Sequence, residues 1–201
     1  MKRLGIMGGT FDPIHYGHLV AAEMARCQFE LDKVLFIPTG KPPHKLGRET
    51  AAAALRLEMI EQSIRDNAAF DISTLELERE GPSYTVDTLR ILSRSYPEHQ
   101  LYFITGTDAL LQIFSWRKSE EIMRLTEFIG VARPGFDVSD FFLKLKQEHS
   151  EDRSRIHYLE VPALAISSTD IRLRMKNGQS IRYLLPEPAR RIIMENGLYE
   201  A

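Results

Sequence analysis

Five near-continuous apolar runs of strand length, spaced by helical patterns, constrain this chain more than any other feature. The runs are Leu4 to Met7, Val34 to Ile37, Leu101 to Ile104, Phe128 to Val131 and Ile156 to Val161. A strand with one wet face alternates apolar and polar residues, whereas a strand covered on both faces does not, and parallel sheets are covered on both faces. Helical patterns fall between the runs, over Gly17 to Phe29, Thr50 to Asp66, Ser83 to Ser95 and Phe141 to Glu148. This alternation predicts an α/β fold, a doubly wound and mainly parallel sheet with helices on both faces. The stretch Phe70 to Glu78 alternates more clearly and predicts a more exposed strand. A length of 201 residues suits one domain, 1–201, with a helical C-terminal part from about residue 167.

Local signals mark several helix ends. Ser83 follows Gly81-Pro82 and can cap a helix; Ser119 precedes Glu120 and Glu121, acids suited to a helix start. Pro186 and Pro188 suit the start of the last helix and Gly197 its stop. The formal charge of −2, from 26 basic and 28 acidic side chains, gives no electrostatic basis for general nucleic-acid binding. No apolar run has the length of a membrane span, so a cytoplasmic protein with no membrane partner is expected. The one cysteine, Cys27, lies in an apolar-periodic helix and is expected to pack inside. The sequence is compatible with a homo-oligomer.

The chemistry is concentrated in the stretch Gly8-Gly9-Thr10-Phe11-Asp12-Pro13-Ile14-His15-Tyr16-Gly17-His18, placed between the first strand and the first helix. A glycine-rich turn of this kind aims backbone N–H groups and the positive end of a helix dipole at an anion. His15 and His18 lie three apart and share a face in a helical first turn. One reading has one histidine capping the turn and the other packing inside. Such a pair can also ligate a metal, with Asp12 or His44 completing the set. Imidazole N–H groups aimed at a phosphate would instead stabilise charge that develops there, and the glycines and helix start favour this reading.

A second constellation is Ile166-Ser167-Ser168-Thr169-Asp170-Ile171-Arg172. A hydroxyl before a helix can be a simple N-cap. Beside the first motif it also reads as a second phosphate clamp, in which hydroxyls and helix N–H groups hold the anion and Arg172 neutralises it. The loop Pro38 to Lys45 is proline-rich and cationic and follows a strand; Lys41, His44 and Lys45 either add charge beside the anion or sit on a solvated surface. Gly106 and Asp108, after the strand Leu101 to Ile104, suit a ribose contact or an ordinary strand-to-helix turn. Trp116, the one tryptophan, has polar neighbours, and its ring is either core or available to stack on a flat heterocycle. Thr85 opens the Ser83 helix, where a first-turn hydroxyl or N–H can hold a carboxylate.

These residues, in this order, resemble the bacterial nicotinate-mononucleotide adenylyltransferases, members of the nucleotidyltransferase superfamily with a His-x-Gly-His signature. The opening motif and Ile166 to Arg172 mark the superfamily. Pro42-Pro43-His44-Lys45, Ser83-Tyr84-Thr85, Gly106-Thr107-Asp108 and Trp116 narrow the resemblance to this enzyme. It implies a Rossmann-like fold, ATP and nicotinate mononucleotide as substrates, Mg2+ as helper, and deamido-NAD with pyrophosphate as products. By the resemblance, His18 contacts the ATP phosphates with His15 beside it, and Gly8, Gly9, Thr10 and Phe11 line the nucleotide crevice. Ser167, Ser168 and Arg172 hold phosphates, and Gly106 and Asp108 contact the nucleotide sugar. Trp116 stacks on the pyridine ring, and main-chain groups near Thr85 take its carboxylate. Thr107 departs from the small apolar residue common at that place in the family. The nearest alternatives are the same transfer to nicotinamide mononucleotide or phosphopantetheine, and a non-catalytic nucleotide sensor.

Overall fold

The computed structural model describes residues 1–40, 50–132, 154–162 and 165–200, with single positions 139 and 143. Six strands form one sheet: β1 (Lys2–Gly9), β2 (Lys33–Pro38), β3 (Phe70–Ile72), β4 (His99–Gly106), β5 (Glu127–Ala132) and β6 (Ile156–Glu160). Their order is β3-β2-β1-β4-β5-β6, so the winding reverses between β1 and β4, as in doubly wound nucleotide-binding sheets. The β1–β4, β4–β5 and β5–β6 ladders are parallel, with Leu4 opposite Leu101, Phe103 opposite Phe128 and Phe128 opposite Ile156. The five apolar runs thus each form a strand. Their continuity follows from burial: Leu4 to Met7 and Leu101 to Ile104 are buried at every position.

The chain groups into two compact units. The first comprises Met1–Met7, Ala21–Val34 and Tyr84–Ala163. Its core includes Leu4, Ile6, Leu89, Leu101, Ile104 and Phe128. Helix α4 (Thr85–Ser95) buries Val86, Leu89 and Leu92 along one stripe, and Arg90 on its wetter side donates to both oxygens of Glu121 at 2.6 and 2.7 Å. Glu121 lies on α6 (Ser119–Leu125), which follows α5 (Thr107–Leu110) and a 3-10 turn at Ile113–Ser115. Gly130 on β5 leaves room for α5: a Cβ there would stand 2.3 Å from Leu110 Cδ2.

The second unit comprises Gly8–Val20, Leu35–Ser83 and Leu164–Ala201. Phe36 contacts Phe11 and Phe70, with ring centroids 5.8 and 5.2 Å apart, and Ile14, Met59 and Ile60 fill the space around them. Helix α2 (Ala53–Ile64) packs on the last helix, α8 (Glu187–Glu195). Pro186 stands at the N-cap position of α8, and Gly197 after the helix takes φ 56°, a left-handed value that stops the helix without a Cβ penalty. Helix α7 (Ser168–Lys176) precedes α8 in the chain.

Three local expectations are corrected. Phe70 to Glu78 is a three-residue strand followed by the one-turn helix α3 (Leu75–Glu78). The carbonyl of Thr74 accepts from Leu77 and Glu78, so a period-two pattern is overridden by a helical turn. Ser83 does not cap α4; it is buried, and Tyr84 stands at the N-cap without a side-chain cap bond. Cys27 is exposed, because α1 (Tyr16–Gln28) buries the stripe Ala21, Ala22 and Ala25, and position 27 lies off that face. The helix expected over Phe141 to Glu148 falls outside the described residues except Leu143, which is exposed.

Candidate active site

The second unit brings the two distant motifs together. After β1 the chain turns through Thr10 and Phe11, the latter at φ 49° with its ring buried edge-on to His18, centroids 5.0 Å apart. The turn is pinned from outside by a buried guanidinium. Arg56, on α2, donates to the carbonyls of Thr10 at 2.7 Å, Thr39 at 3.0 Å and Ala51 at 3.1 Å. The amide of Thr39 also donates to the Gly9 carbonyl at 2.8 Å. The segment Ser167 to Arg172 docks on the same turn: Arg172 donates to the Asp12 carbonyl at 2.6 Å and Ser168 Oγ to the Pro13 carbonyl at 2.9 Å. Residues 155 to 160 positions apart in sequence are therefore in hydrogen-bond contact.

The two imidazoles stack, with centroids 3.8 Å apart and planes 27° off parallel. Gly17 makes the stack sterically accessible, since a Cβ there would stand 2.9 Å from His15 Nδ1. His15 precedes α1 and its carbonyl accepts from His18 and Leu19, which makes it the N-cap residue. Its own N–H donates to His18 Nδ1 at 3.3 Å. This is one half of a capping box, with a ring nitrogen of the third helical residue in place of the usual carboxylate. A neutral imidazole that accepts at Nδ1 carries its proton on Nε2. Lost hydration, and then the neighbouring His15 ring, hold the His18 pKa well below 6.5, so the ring is neutral at pH 7. The half-buried ring thus keeps one defined N–H donor.

The depressed pKa carries a stability consequence. Between 6.5 and the lower folded value the unfolded chain binds a proton that the folded chain refuses, so stability rises with pH across that window and is lost as pH falls through it. The urea midpoint of the protein should fall between pH 7.5 and 5.5, and His18→Asn should flatten that fall. An equally steep fall in the variant would assign it to another group.

The start of α7 offers an anion its main chain more than its hydroxyls. Ser167 Oγ accepts from the Asp170 amide at 3.1 Å, closing an N-cap, and the Ser168 hydroxyl is engaged by Pro13. The first N–H groups of α7, at Ser168 and Thr169, have no acceptor within the helix. Arg172 lies over this turn with NH2 3.3 Å from Thr169 Oγ1 and NH1 3.7 Å from Asp12 Oδ2. A helix start, an arginine and a neutral imidazole donor form a set that can bind and neutralise a polyphosphate. Gly8 at the end of β1 is exposed, and Gly9 and Thr10 are half-buried. Lys41 and His44 lie outside the described residues. Among the described residues no group of three or more His, Cys, Asp or Glu side chains is arranged to hold a metal ion.

The first unit holds the other candidates. Trp116 is half-buried, edge-on to Phe103 and Phe128 at 6.1 and 6.3 Å, which leaves part of its ring open. The guanidinium of Arg117 lies 4.5 Å over the Tyr84 ring, which ties the Trp116 segment to the start of α4. Thr85 is the first residue of that helix, whose N-cap residue, Tyr84, makes no side-chain cap bond. Gly106 precedes α5, and both it and Asp108 are exposed.

Sequence reasoning missed two residues of the phosphate cluster's frame, Arg56 and Tyr199, and named a third, Asp12, only as a possible metal ligand. Arg56 occupies the buried stripe of α2 with Met59, Ile60 and Ile64, and an arginine on an apolar stripe is the signal that could have found it. Asp12 is buried, and its Oδ1 accepts from the Ala51 amide at 3.1 Å and from the Tyr199 hydroxyl at 2.7 Å. Tyr199 lies 187 positions away from Asp12, and no local pattern announces it.

A profile of the family described as Cytidylyltransferase-like matches residues 6–174. A "Probable nicotinate-nucleotide adenylyltransferase" of Desulfitobacterium hafniense is 57% identical over 198 residues, covering 98% of this chain and 96% of its own length. One of the same description from Moorella thermoacetica is 52% identical, covering 98% and 91%. Among solved structures, the Plasmodium falciparum nicotinic acid mononucleotide adenylyltransferase complexed with APC aligns with a TM-score of 0.80 at 21% identity, covering 99% of this chain and 98% of that one. That likeness establishes a shared fold.

Proposed function

The chain belongs to the cytidylyltransferase-like family, and on that premise we propose that it transfers the adenylyl group of ATP to nicotinate mononucleotide, releasing deamido-NAD and pyrophosphate. A phosphate oxygen of the mononucleotide attacks the α-phosphorus of ATP. The bond from that phosphorus to the bridging oxygen breaks, and its electron pair leaves with pyrophosphate. The nucleophile is already anionic at neutral pH, so no general base is needed, and catalysis comes from positioning and charge neutralisation. No covalent enzyme intermediate forms.

The observation that carries this reading is the contact of the stacked His15–His18 pair's loop with the Ser168–Arg172 helix start. His18 donates its Nε2 proton to the phosphate undergoing transfer, and His15 fixes the ring that does so. Arg172 and the first N–H groups of α7 hold the pyrophosphate portion, and Lys41 and His44 add charge. Gly8, Gly9, Thr10 and Phe11 line the nucleotide's path, and Gly106 and Asp108 take sugar hydroxyls. Trp116 stacks on the pyridine ring, and the first N–H groups of α4, at Thr85, donate to its carboxylate. Mg2+ would enter with ATP as part of the substrate; Asp12 Oδ1 is engaged by Ala51 and Tyr199.

Backbone donors at Thr85 select an acid over an amide, because an amide N–H2 facing them leaves buried donors unpaired at roughly 1–3 kcal/mol, about 5- to 150-fold. Pyrophosphate release with ATP should therefore be at least about fivefold more efficient with nicotinate than with nicotinamide mononucleotide. Equal or reversed efficiency would reject the acceptor, and no release with either, or release with phosphopantetheine alone, would reject the assigned reaction.

A further inference from the structure

We propose that Tyr199 is a positioning residue for the phosphate clamp: its hydroxyl holds the Asp12 carboxylate off Arg172, keeping the guanidinium available to ATP. This rests on the assignment of Arg172 to the triphosphate.

The geometry around Asp12 is asymmetric. Asp12 is buried and its Oδ1 accepts twice, from the Tyr199 hydroxyl at 2.7 Å and the Ala51 amide at 3.1 Å. Only Oδ2 faces Arg172, and at 3.7 Å from NH1 it is beyond hydrogen-bond distance. The Arg172 donor bond goes instead to the Asp12 main-chain carbonyl at 2.6 Å, and NH2 makes a long contact of 3.3 Å to Thr169 Oγ1. A buried carboxylate beside a guanidinium ordinarily closes into a two-bond fork, the strongest pairing open to both. Here that fork is not formed, because one oxygen is already committed to Tyr199 and Ala51. Arg172 is therefore anchored by a neutral carbonyl, and its positive charge is only partly offset at the place where a triphosphate needs it.

Tyr199 is suited to this task. It is part-buried in the tail after α8, and from there its hydroxyl reaches Asp12. Burial, the hydrogen bond to Asp12 and the charge of that carboxylate all raise its pKa, so the phenol stays a donor throughout the working pH range. Arg56, whose guanidinium is spent on three carbonyls, gives Asp12 no hydrogen bond that would compete. Loss of the Tyr199 hydroxyl leaves Oδ1 with the Ala51 amide alone, and the carboxylate can then turn toward Arg172.

The test is a double-mutant cycle of Tyr199→Phe and Asp12→Asn in the full chain, read as ATP affinity by calorimetry without acceptor and as initial rates with both substrates. Tyr199→Phe should weaken ATP binding about fivefold to tenfold, the scale of one ordinary hydrogen bond, because the hydroxyl acts on ATP only through Asp12 and Arg172. It should raise the KM for ATP and leave the KM for nicotinate mononucleotide within about twofold. In the Asp12→Asn background, where no carboxylate can close on Arg172, the same change should cost less than about twofold. Equal losses in both backgrounds, no loss in either, or a matching rise in both KM values would overturn the proposal. A Tyr199→Phe chain that does not fold makes the hydroxyl a folding element and overturns it too. The ATP titration needs no acceptor, so absent turnover in the unmutated protein would count against the proposed reaction and leave the Tyr199 cycle readable.

Discussion

Replacing His18 by asparagine should lower the turnover number about 10²- to 10³-fold, the usual loss for one preorganised donor to a transition-state oxygen. Asparagine is the informative choice. Its side-chain oxygen reaches roughly the place of Nδ1, so it can still accept the His15 N–H that starts α1, but it puts no donor where Nε2–H stands. Fold and helix start should therefore survive while the transferring phosphate loses its contact. The KM for ATP should change little, because the donor bond strengthens only as charge builds up. Steady-state pyrophosphate release and a thermal melt together check this. A folded variant within about fivefold of the original turnover would remove His18 from the chemistry.

The largest effect on stability is expected at Arg56. Changing it to leucine keeps an apolar body on α2 but strips donors from the carbonyls of Thr10, Thr39 and Ala51. A buried carbonyl left without a partner costs about 1–3 kcal/mol, and partial entry of water brings the sum to about 3–5 kcal/mol. For a chain of this size each kcal/mol is about 2–4 °C, so the melting midpoint should fall by roughly 10 °C. Arg56→Lys should recover only part of this, because an ammonium cannot reproduce the fork that spans three acceptors. A fall of less than about 3 °C for Arg56→Leu would mean that the turn after β1 is held by something else.

How much of this was legible in the sequence depends on the range of the interaction. Strands of a covered sheet print themselves as unbroken apolar runs, so all five runs were placed correctly. The His15–His18 pair and the Ser167–Arg172 start are local motifs, and each could be read where it stands. Their contact through Asp12 and Pro13 could only be inferred from the resemblance, since nothing in either segment names the other. Misreadings arose where one side chain satisfied two patterns. Leu75-Glu76-Leu77-Glu78 alternates like a strand, but a helical turn satisfies its backbone at Thr74. Ser83 looks like a cap, yet it is buried one residue before the N-cap position. Tyr199 was silent because its partner is a distant carboxylate, and Arg56, whose partners are main-chain carbonyls, left only its place on the apolar stripe of α2 as a mark.

The hydrogen bond from the His15 main chain to the His18 ring makes proton placement a property of the backbone. Solvent acidity decides how many protons a free imidazole carries; here the opening of a helix decides where the single one sits. Fraying of that first turn would let the ring sample both tautomers. A share of the molecules would then present a lone pair to the phosphate, with every side chain present and the sequence unchanged.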